Sequence, residues 1–166
     1  GPCQRINGLL DWETSTKTDR LVASHSGYQR LPSPVTPIRT IMFDKAEDRL
    51  AIIDQFEGEG AHDAQIRYTL APGVTIQNVG ADKWQLSTDA EVFLLITPAA
   101  SSWTSHIEDG EFSPSYGVKQ STQAIVFTSS GALEPLALGV MPEKSNSNDL
   151  QEWLAKQVLI TDANKP

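Results

Sequence analysis

Short runs of β-branched and aromatic residues, each closed by Gly, Pro or Asp, recur along most of this chain of 166 residues. In the run 64–70, Ile66, Tyr68 and Leu70 alternate with polar residues, which is the period of a strand with one solvated face. Runs of this kind predict strands separated by turns, including turns at 108–111 and 129–131. The predicted strands cover 21–25, 39–43, 50–56, 64–70, 74–79, 84–86, 91–97, 103–107, 116–121, 123–128 and 133–140.

About ten short strands with short connections predict an all-β fold, an antiparallel two-sheet β-sandwich. The run 91–97 is apolar on both faces and is therefore predicted to be a central strand. We expect a loop or edge segment over 1–20, the β-sandwich over 21–141, and a linker with an amphipathic helix over 142–166.

One short C-terminal helix is the exception to the strand pattern. Leu150, Trp153, Leu154 and Val158 recur at the spacing of one helical face, which we expect to pack on the sandwich or on a neighbouring domain. Asn148 and Gln151 have the spacing of a capping box at the start of this helix.

The charge of the chain limits its partners. The net charge of −8 argues against a nucleic-acid binder, which needs a basic surface for phosphates. No apolar run is long enough to span a membrane, and no basic segment precedes an apolar one as in a signal peptide. Residues 1–49 hold seven basic and six acidic side chains, so an anionic ligand would meet least repulsion near the arginines of this half. They are Arg5, Arg20, Arg30 and Arg39.

Two clusters are candidates for binding a substrate. The first holds His25, Tyr28 and Arg30 beside a glycine, where aromatic rings could stack on a sugar and a guanidinium could hold a carboxylate. The second holds Trp103 and Tyr116, which could line a groove or simply fill one end of the sandwich. The alternative for the first cluster is a loop whose tyrosine packs on the sheet edge.

No cofactor, metal ion or catalytic residue is predicted. The single cysteine excludes an internal disulfide and a cysteine-based zinc site. The three histidines supply no HxH, HxxxH or HExxH pair, and His62 is expected to be a hydrogen-bonded surface residue. No GxSxG motif marks a serine nucleophile.

A series of soft motifs, in a fixed order, resembles a known family. The motifs are HSGYxRL at 25–31, RxIxF at 39–43, LAIID at 50–54, EGAH at 59–62, LAPGV at 70–74 and SPSYG at 113–117. Over roughly residues 20–140 the chain resembles the C-terminal β-domain of the heparinase II/III-like family of bacterial polysaccharide lyases.

The resemblance implies a parent enzyme with an N-terminal α/α toroid of helices and a C-terminal β-sandwich. Such enzymes cleave acidic polysaccharides, glycosaminoglycans among them, by β-elimination at a uronate, with a tyrosine or histidine as base and acid. Some members hold a structural zinc in the β-domain, with ligands that would fall largely upstream of residue 1. The resemblance also implies that the parent protein is periplasmic or secreted.

This chain contains no helical toroid, so no catalytic role transfers to a named residue. We therefore expect a non-catalytic domain that provides scaffold and one wall of the substrate cleft, and that is inactive by itself. Two alternatives stay open. One is a stand-alone carbohydrate-binding module that uses Tyr28, Trp103, Tyr116 and the N-terminal arginines, and the other is an assembly domain whose Trp153 helix docks a partner.

Overall fold

A computed structural model describes residues 8–99, 101–144 and 147–163 of the chain. The elements are β1 (Gly8–Thr14), β2 (Thr18–Ser24), β3 (Val35–Asp44), β4 (Arg49–Gly58), β5 (His62–Thr69), β6 (Thr75–Gly80), β7 (Lys83–Ser87), β8 (Val92–Ile96), β9 (Thr104–Ser115), β10 (Val118–Gly131), β11 (Leu136–Pro142) and α1 (Ser147–Ala163).

The strands form two antiparallel sheets, which confirms the predicted all-β fold. The larger sheet has eight strands in the order β1-β2-β3-β4-β11-β8-β7-β6, and the smaller has three in the order β5-β10-β9. Every strand pair is antiparallel. β1 lies at one edge of the larger sheet, within the segment 1–20. The proposed domain boundaries remain a prediction.

Two apolar cores lie on opposite faces of the larger sheet. The first is between this sheet and the smaller one, where Trp84, Leu95 and Phe127 are buried together. The second is under helix α1, where Leu94 and Ile96 of β8 are buried. Because β8 contributes to both cores, it is the central strand that its doubly apolar sequence predicts.

Helix α1 packs with the predicted face against the larger sheet. Leu150 and Leu154 are fully buried, and Trp153 and Val158 pack around them. The Arg49 guanidinium lies 4.5 Å from the centre of the Trp153 ring, so the ring's outer side is also occupied.

Gln151, the second member of the predicted capping box, makes a contact with the larger sheet. Its side chain donates to the Thr97 carbonyl at 3.1 Å, which fastens the helix to the residue after β8. The side chain of the predicted cap, Asn148, lies outside the described part of the chain.

The predicted turns at 108–111 and 129–131 are wrong, because both segments lie inside strands β9 and β10. These two strands form one long hairpin, whose turn is at 116–117, where Gly117 has a φ of 77°. The acidic residues lie on strands where they meet cations: Lys119 binds Glu111 at 2.6 Å in the two-stranded arm, and Arg67 of β5 binds Glu108 in the three-stranded part of the sheet. The turn prediction at 108–111 failed because an exposed strand can be as rich in acidic residues as a turn.

Candidate functional site

A cavity of about 540 Å³ lies between the larger sheet and the edge strand β5 of the smaller sheet. Strands β2, β3 and β4 supply its floor, the loop between β2 and β3 supplies its rim, and β5 supplies the opposite wall. Its apolar lining includes Val35, Phe56, Ile66 and Leu133. No signal in the sequence predicts this cavity.

A charged network fixes the floor of the cavity. Arg39 of β3 donates from Nε to Asp54 Oδ1 at 2.6 Å and from Nη2 to Asp54 Oδ2 at 2.8 Å. The Tyr68 hydroxyl of β5 donates to Asp54 Oδ2 at 2.7 Å and accepts from Arg39 Nη2 at 3.1 Å. Since β5 belongs to the other sheet, this network joins the two sheets at the cavity.

The network also sets the protonation of its members. Burial raises the pKa of Tyr68 far above its ordinary value, and the neighbouring Asp54 carboxylate raises it further. The hydrogen bonds to Asp54 raise the pKa of Arg39, which outweighs the opposing effect of burial. Tyr68 is therefore a neutral hydroxyl and Arg39 a cation at any physiological pH.

The rim of the cavity contains two of the predicted binding residues, His25 and Tyr28. Their ring centroids are 5.3 Å apart, with the ring planes tilted by 56°. The Gly27 N–H donates to His25 Nδ1 at 3.2 Å, which orients the imidazole within its turn. The Tyr28 side chain is 49% exposed, so both an aromatic face and an imidazole are open to a ligand at the cavity mouth.

His62 lies at the opposite wall and was expected to be a hydrogen-bonded surface residue, which is wrong. It is half-buried, and its Nε2 is buried without a hydrogen-bond partner among the described residues. The signal was present in the sequence: His62, Ala64 and Ile66 continue the inward period of β5.

The other predicted binding residues lie elsewhere. Arg30 is exposed in the turn after Tyr28 and is not among the lining residues. Trp103 is buried in the core between the sheets, 5.8 Å from Phe56, and donates from Nε1 to the Glu134 carbonyl at 3.0 Å. Trp103 has no free ring face for a sugar, because its ring packs in the core and its N–H is already hydrogen-bonded. Tyr116 is fully exposed at the tip of the β9–β10 arm.

The predicted attraction of anions to the N-terminal arginines is weakened by pairing. Arg20 is bound to Asp11, as Arg39 is to Asp54. Arg30 forms no ion pair with a described residue, and Arg5 lies outside the described residues.

A metal site finds no support in the part of the chain that the structure describes. No three side chains among its His, Cys, Asp and Glu residues are grouped to hold an ion. The zinc that the resemblance attributes to some relatives therefore does not fit these residues. The described helix is also not long and apolar enough to cross a membrane.

Comparison with known proteins decides the family. Residues 4–154 match the model of the family described as heparinase II/III-like, C-terminal. This chain belongs to that family. The family resemblance that was inferred from the order of the motifs is thereby confirmed. The β-sandwich is the C-terminal domain of this family. A search of curated proteins gives no match.

Two solved structures with the same fold are a heparan sulfate lyase and a heparinase III. The heparan sulfate lyase HepC from Pedobacter heparinus superposes with a TM-score of 0.67 at 19% identity, covering 84% of this chain and 21% of that one. A heparinase III superposes with a TM-score of 0.64 at 14% identity, covering 86% and 22% of the two chains. The heparinase II/III-like domain described here thus spans about a fifth of the length of these lyases.

Proposed function

We propose that this heparinase II/III-like domain is the non-catalytic β-sandwich of a polysaccharide lyase that cleaves acidic polysaccharide by β-elimination at a uronate. The observation that carries the proposal is the family match over residues 4–154. The two-sheet fold shared with heparan sulfate and heparin lyases supports it. The parent protein would be periplasmic or secreted and would carry a helical toroid N-terminal to this domain.

β-Elimination sets demands that this domain meets only in part. A base must take the proton beside the uronate carboxylate, and hydrogen-bond donors or cations must stabilise the anion that forms. Among the described residues, Tyr68 is half-buried and its hydroxyl donates to Asp54, so it is not free to act as this base. Because the family resemblance transfers no catalytic role to a residue of this chain, we assign the base to the rest of the protein, and to this domain a rigid wall of the substrate cleft.

The wall would contact polysaccharide through its rim. His25 and Tyr28 offer an imidazole and an open aromatic face at the cavity mouth, and Arg30 lies two residues further along the same turn. Tyr116, on the exposed arm, is a second aromatic contact. Stacking on such rings is a common way for proteins to hold sugars, since the ring faces are apolar and the edges polar.

An activity assay tests the proposal. The whole protein and this chain alone are incubated with heparin, heparan sulfate, hyaluronan and alginate, and the absorbance of the unsaturated uronate product is followed. We expect product from the whole protein with at least one substrate, and none from this chain. Turnover by the chain alone, or no turnover by the whole protein on any acidic polysaccharide, would contradict the proposal.

A second candidate is a polysaccharide-binding module that acts without a catalytic partner, favoured by the half-exposed Tyr28 at the cavity mouth. Affinity electrophoresis in polysaccharide gels separates the two. Strong retardation of this chain that is lost in Tyr28→Ala favours the module. Unretarded migration removes it.

A further inference from the structure

The two sheets of the sandwich differ in width, and the larger one extends past the smaller. The larger sheet has eight strands and the smaller has three. Phe127 of β10 packs edge-on against Trp84 of β7. Tyr68 of the edge strand β5 binds Arg39 of β3. The free side of β5 therefore faces β2 and β1, which no described strand of the smaller sheet covers.

The uncovered part of the larger sheet is apolar on the face toward the smaller sheet. Successive cross-strand partners form one row on this face of β1 to β4, namely Trp12, Leu21, Ile41 and Ile52. The row begins in the core, where Ile52 packs, and ends at the sheet edge, where Trp12 is 56% exposed. Leu9 of β1 lies on the same face and is 62% exposed. Large apolar side chains left in water beside a core indicate that a further element covers them.

The edge strand β5 offers unpaired backbone groups above this face. β5 pairs with β10 on one side and with no described strand on the other. The Leu70 N–H donates to the Gln123 carbonyl at 2.9 Å, which fixes the alternation of the ladder. The N–H and C=O groups of Asp63, Gln65 and Arg67 consequently point away from β10. Such a row is a template for the addition of a further strand.

The cavity lies beside β5, in the position that an added strand would occupy. Its lining includes β5 on one side and Ala23 and Ser24 of β2 on the other. On β5 the inward side chains of Ala64 and Ile66 are only half-buried, whereas residues 124–127 of the neighbouring β10 are at most 1% exposed. A strand beside β5 would complete the burial of these side chains, and its own inward side chains would fill the cavity.

A second copy of this chain does not fit as the occupant. The two-fold axis that relates two antiparallel β5 strands is perpendicular to their sheet, so both larger sheets would lie on the same side of it. Since β1, β2 and β3 extend past β5, the two larger sheets would occupy the same space. The free edge is therefore open to a single strand and closed to another complete sandwich.

The position of β1 favours a segment of the same protein as the occupant. Gly8, the first residue of β1, pairs with Ser24 of the cavity lining, so the preceding chain arrives beside the cavity. Crossing the ~10 Å between packed sheets takes about three extended residues. Pairing along β5 takes up to eight more, which exceeds the seven residues before β1. The lyases of the same fold do have more chain, since this domain covers only 21% and 22% of their length.

We propose that the free edge of β5 pairs with one extended segment that precedes β1 in the whole protein. This segment adds a fourth strand to the smaller sheet and covers the apolar row from Ile41 to Trp12. The inference rests on the proposed function, because it requires the longer protein that this function describes. The interface is internal to that protein and involves no polysaccharide.

Amide hydrogen exchange, resolved residue by residue by fragmentation in the mass spectrometer, tests the pairing. In this chain alone, we expect the N–H groups of Gln65 and Arg67 to exchange fast, and those of Ile66 and Tyr68, which face β10, to exchange slowly. In the whole protein the exchange of Gln65 and Arg67 should be slower by at least about a hundredfold, because both amides become hydrogen-bonded. Ile66 and Tyr68 are the internal control and should be slow in both proteins.

Trp12→Gln tests whether the apolar row holds the added strand. In the whole protein it should speed the exchange of Gln65 and Arg67 by at least about tenfold, because the strand loses an apolar contact. In this chain it should leave the urea midpoint nearly unchanged, since Trp12 is already exposed. Leu159→Gln is the matched control, because it removes an exposed apolar side chain from α1, on the opposite face of the larger sheet, and it should not change the exchange of Gln65 and Arg67.

Equally fast exchange of Gln65 and Arg67 in this chain and in the whole protein would overturn the proposal. Slow exchange in this chain together with a dimer in sedimentation would also overturn it, because a second copy would then be the occupant. Protection of Trp12 from hydroxyl radicals in the whole protein, with both amides still fast, would show that an element other than a paired strand covers the face. Lyase activity of the whole protein without the pairing would remove this inference alone, and pairing in a whole protein without lyase activity would remove the proposed function alone.

Discussion

Replacement of Asp54 by alanine is the sharpest perturbation of the cavity floor. The carboxylate is 7% exposed and accepts three hydrogen bonds, two from Arg39 and one from the Tyr68 hydroxyl. Asp54→Ala removes all three hydrogen bonds and leaves the Arg39 cation and the Tyr68 hydroxyl without this partner. Such a loss costs far more than the intact network contributes, because the remaining groups stay partly desolvated.

The size of the effect follows from the two groups left behind. Removing one partner of a fully buried ion pair costs about 3–5 kcal/mol, but Arg39 is 42% exposed, so water can hydrate part of it and we expect about 2 kcal/mol. The buried Tyr68 hydroxyl loses its acceptor, which adds about 1 kcal/mol. The free energy of unfolding should therefore fall by about 3 kcal/mol, a large part of the ~5–15 kcal/mol typical of a domain.

Urea denaturation of the parent chain and Asp54→Ala measures this difference through the midpoint at constant slope. Asp63→Ala is the control, because Asp63 is exposed and accepts one side-chain hydrogen bond, from Ser130, so its loss should stay within about 0.5 kcal/mol. The double variant Arg39→Met with Asp54→Leu should recover much of the stability, since no charge is left unpaired. A loss below about 1 kcal/mol in Asp54→Ala, or one equal to that of Asp63→Ala, would refute the reasoning.

Three further predictions concern other parts of the fold. Trp103→Ala should lower the free energy of unfolding by about 3–5 kcal/mol, because it empties a core position, and a loss near zero in urea denaturation would place Trp103 on the surface. Above about pH 10 the stability of the parent chain should fall more steeply with pH than that of Tyr68→Phe. The cause is the raised pKa of Tyr68, which keeps the phenol protonated in the folded state while the unfolded state loses that proton. Parallel pH profiles of the urea midpoint for the two proteins would contradict this. Gly58→Ala should lower the free energy of unfolding by at least about 2 kcal/mol, since φ of Gly58 is 150° and an added Cβ would lie 2.5 Å from the Pro34 carbonyl oxygen. In the control Gly80→Ala the added Cβ has no atom within 4 Å, so the change should stay within about 0.5 kcal/mol. Equal thermal unfolding of the two variants would contradict this.

Period and punctuation were sufficient to predict most strands and the helix face. In β5 the alternation of half-buried and exposed residues is complete from His62 to Thr69, and in α1 Leu150 and Leu154 are buried as their spacing predicts. These features depend on which face of an element is apolar, and that is written locally in the sequence. The family resemblance added the larger context, because the serial order of motifs survives where overall identity is low.

The length of the β9–β10 hairpin was not predictable from the same signals. Strands β9 and β10 run past the smaller sheet as a two-stranded arm, where the pairing from Gly110 to Ser115 requires no apolar face. Residues 108–111 are therefore acidic and contain glycine, as turns do. What distinguishes them is the cation on the neighbouring strand, such as Lys119, which lies diagonally across from Glu111, and that contact depends on a register the sequence does not state.

The candidate site could likewise be predicted only in part from the sequence. Arg39 and Asp54 are direct cross-strand partners of β3 and β4, so a correct register of one hairpin would bring them together. Tyr68 joins them only because β5 leaves the larger sheet and crosses to the smaller one, which is a property of the topology. That crossing creates both the network and the cavity beside it, and the network in turn holds β5 at a fixed distance from β3 and β4. Two polar groups of the cavity lining, Arg39 and Asp54, are thus held in one arrangement by contacts within the fold itself.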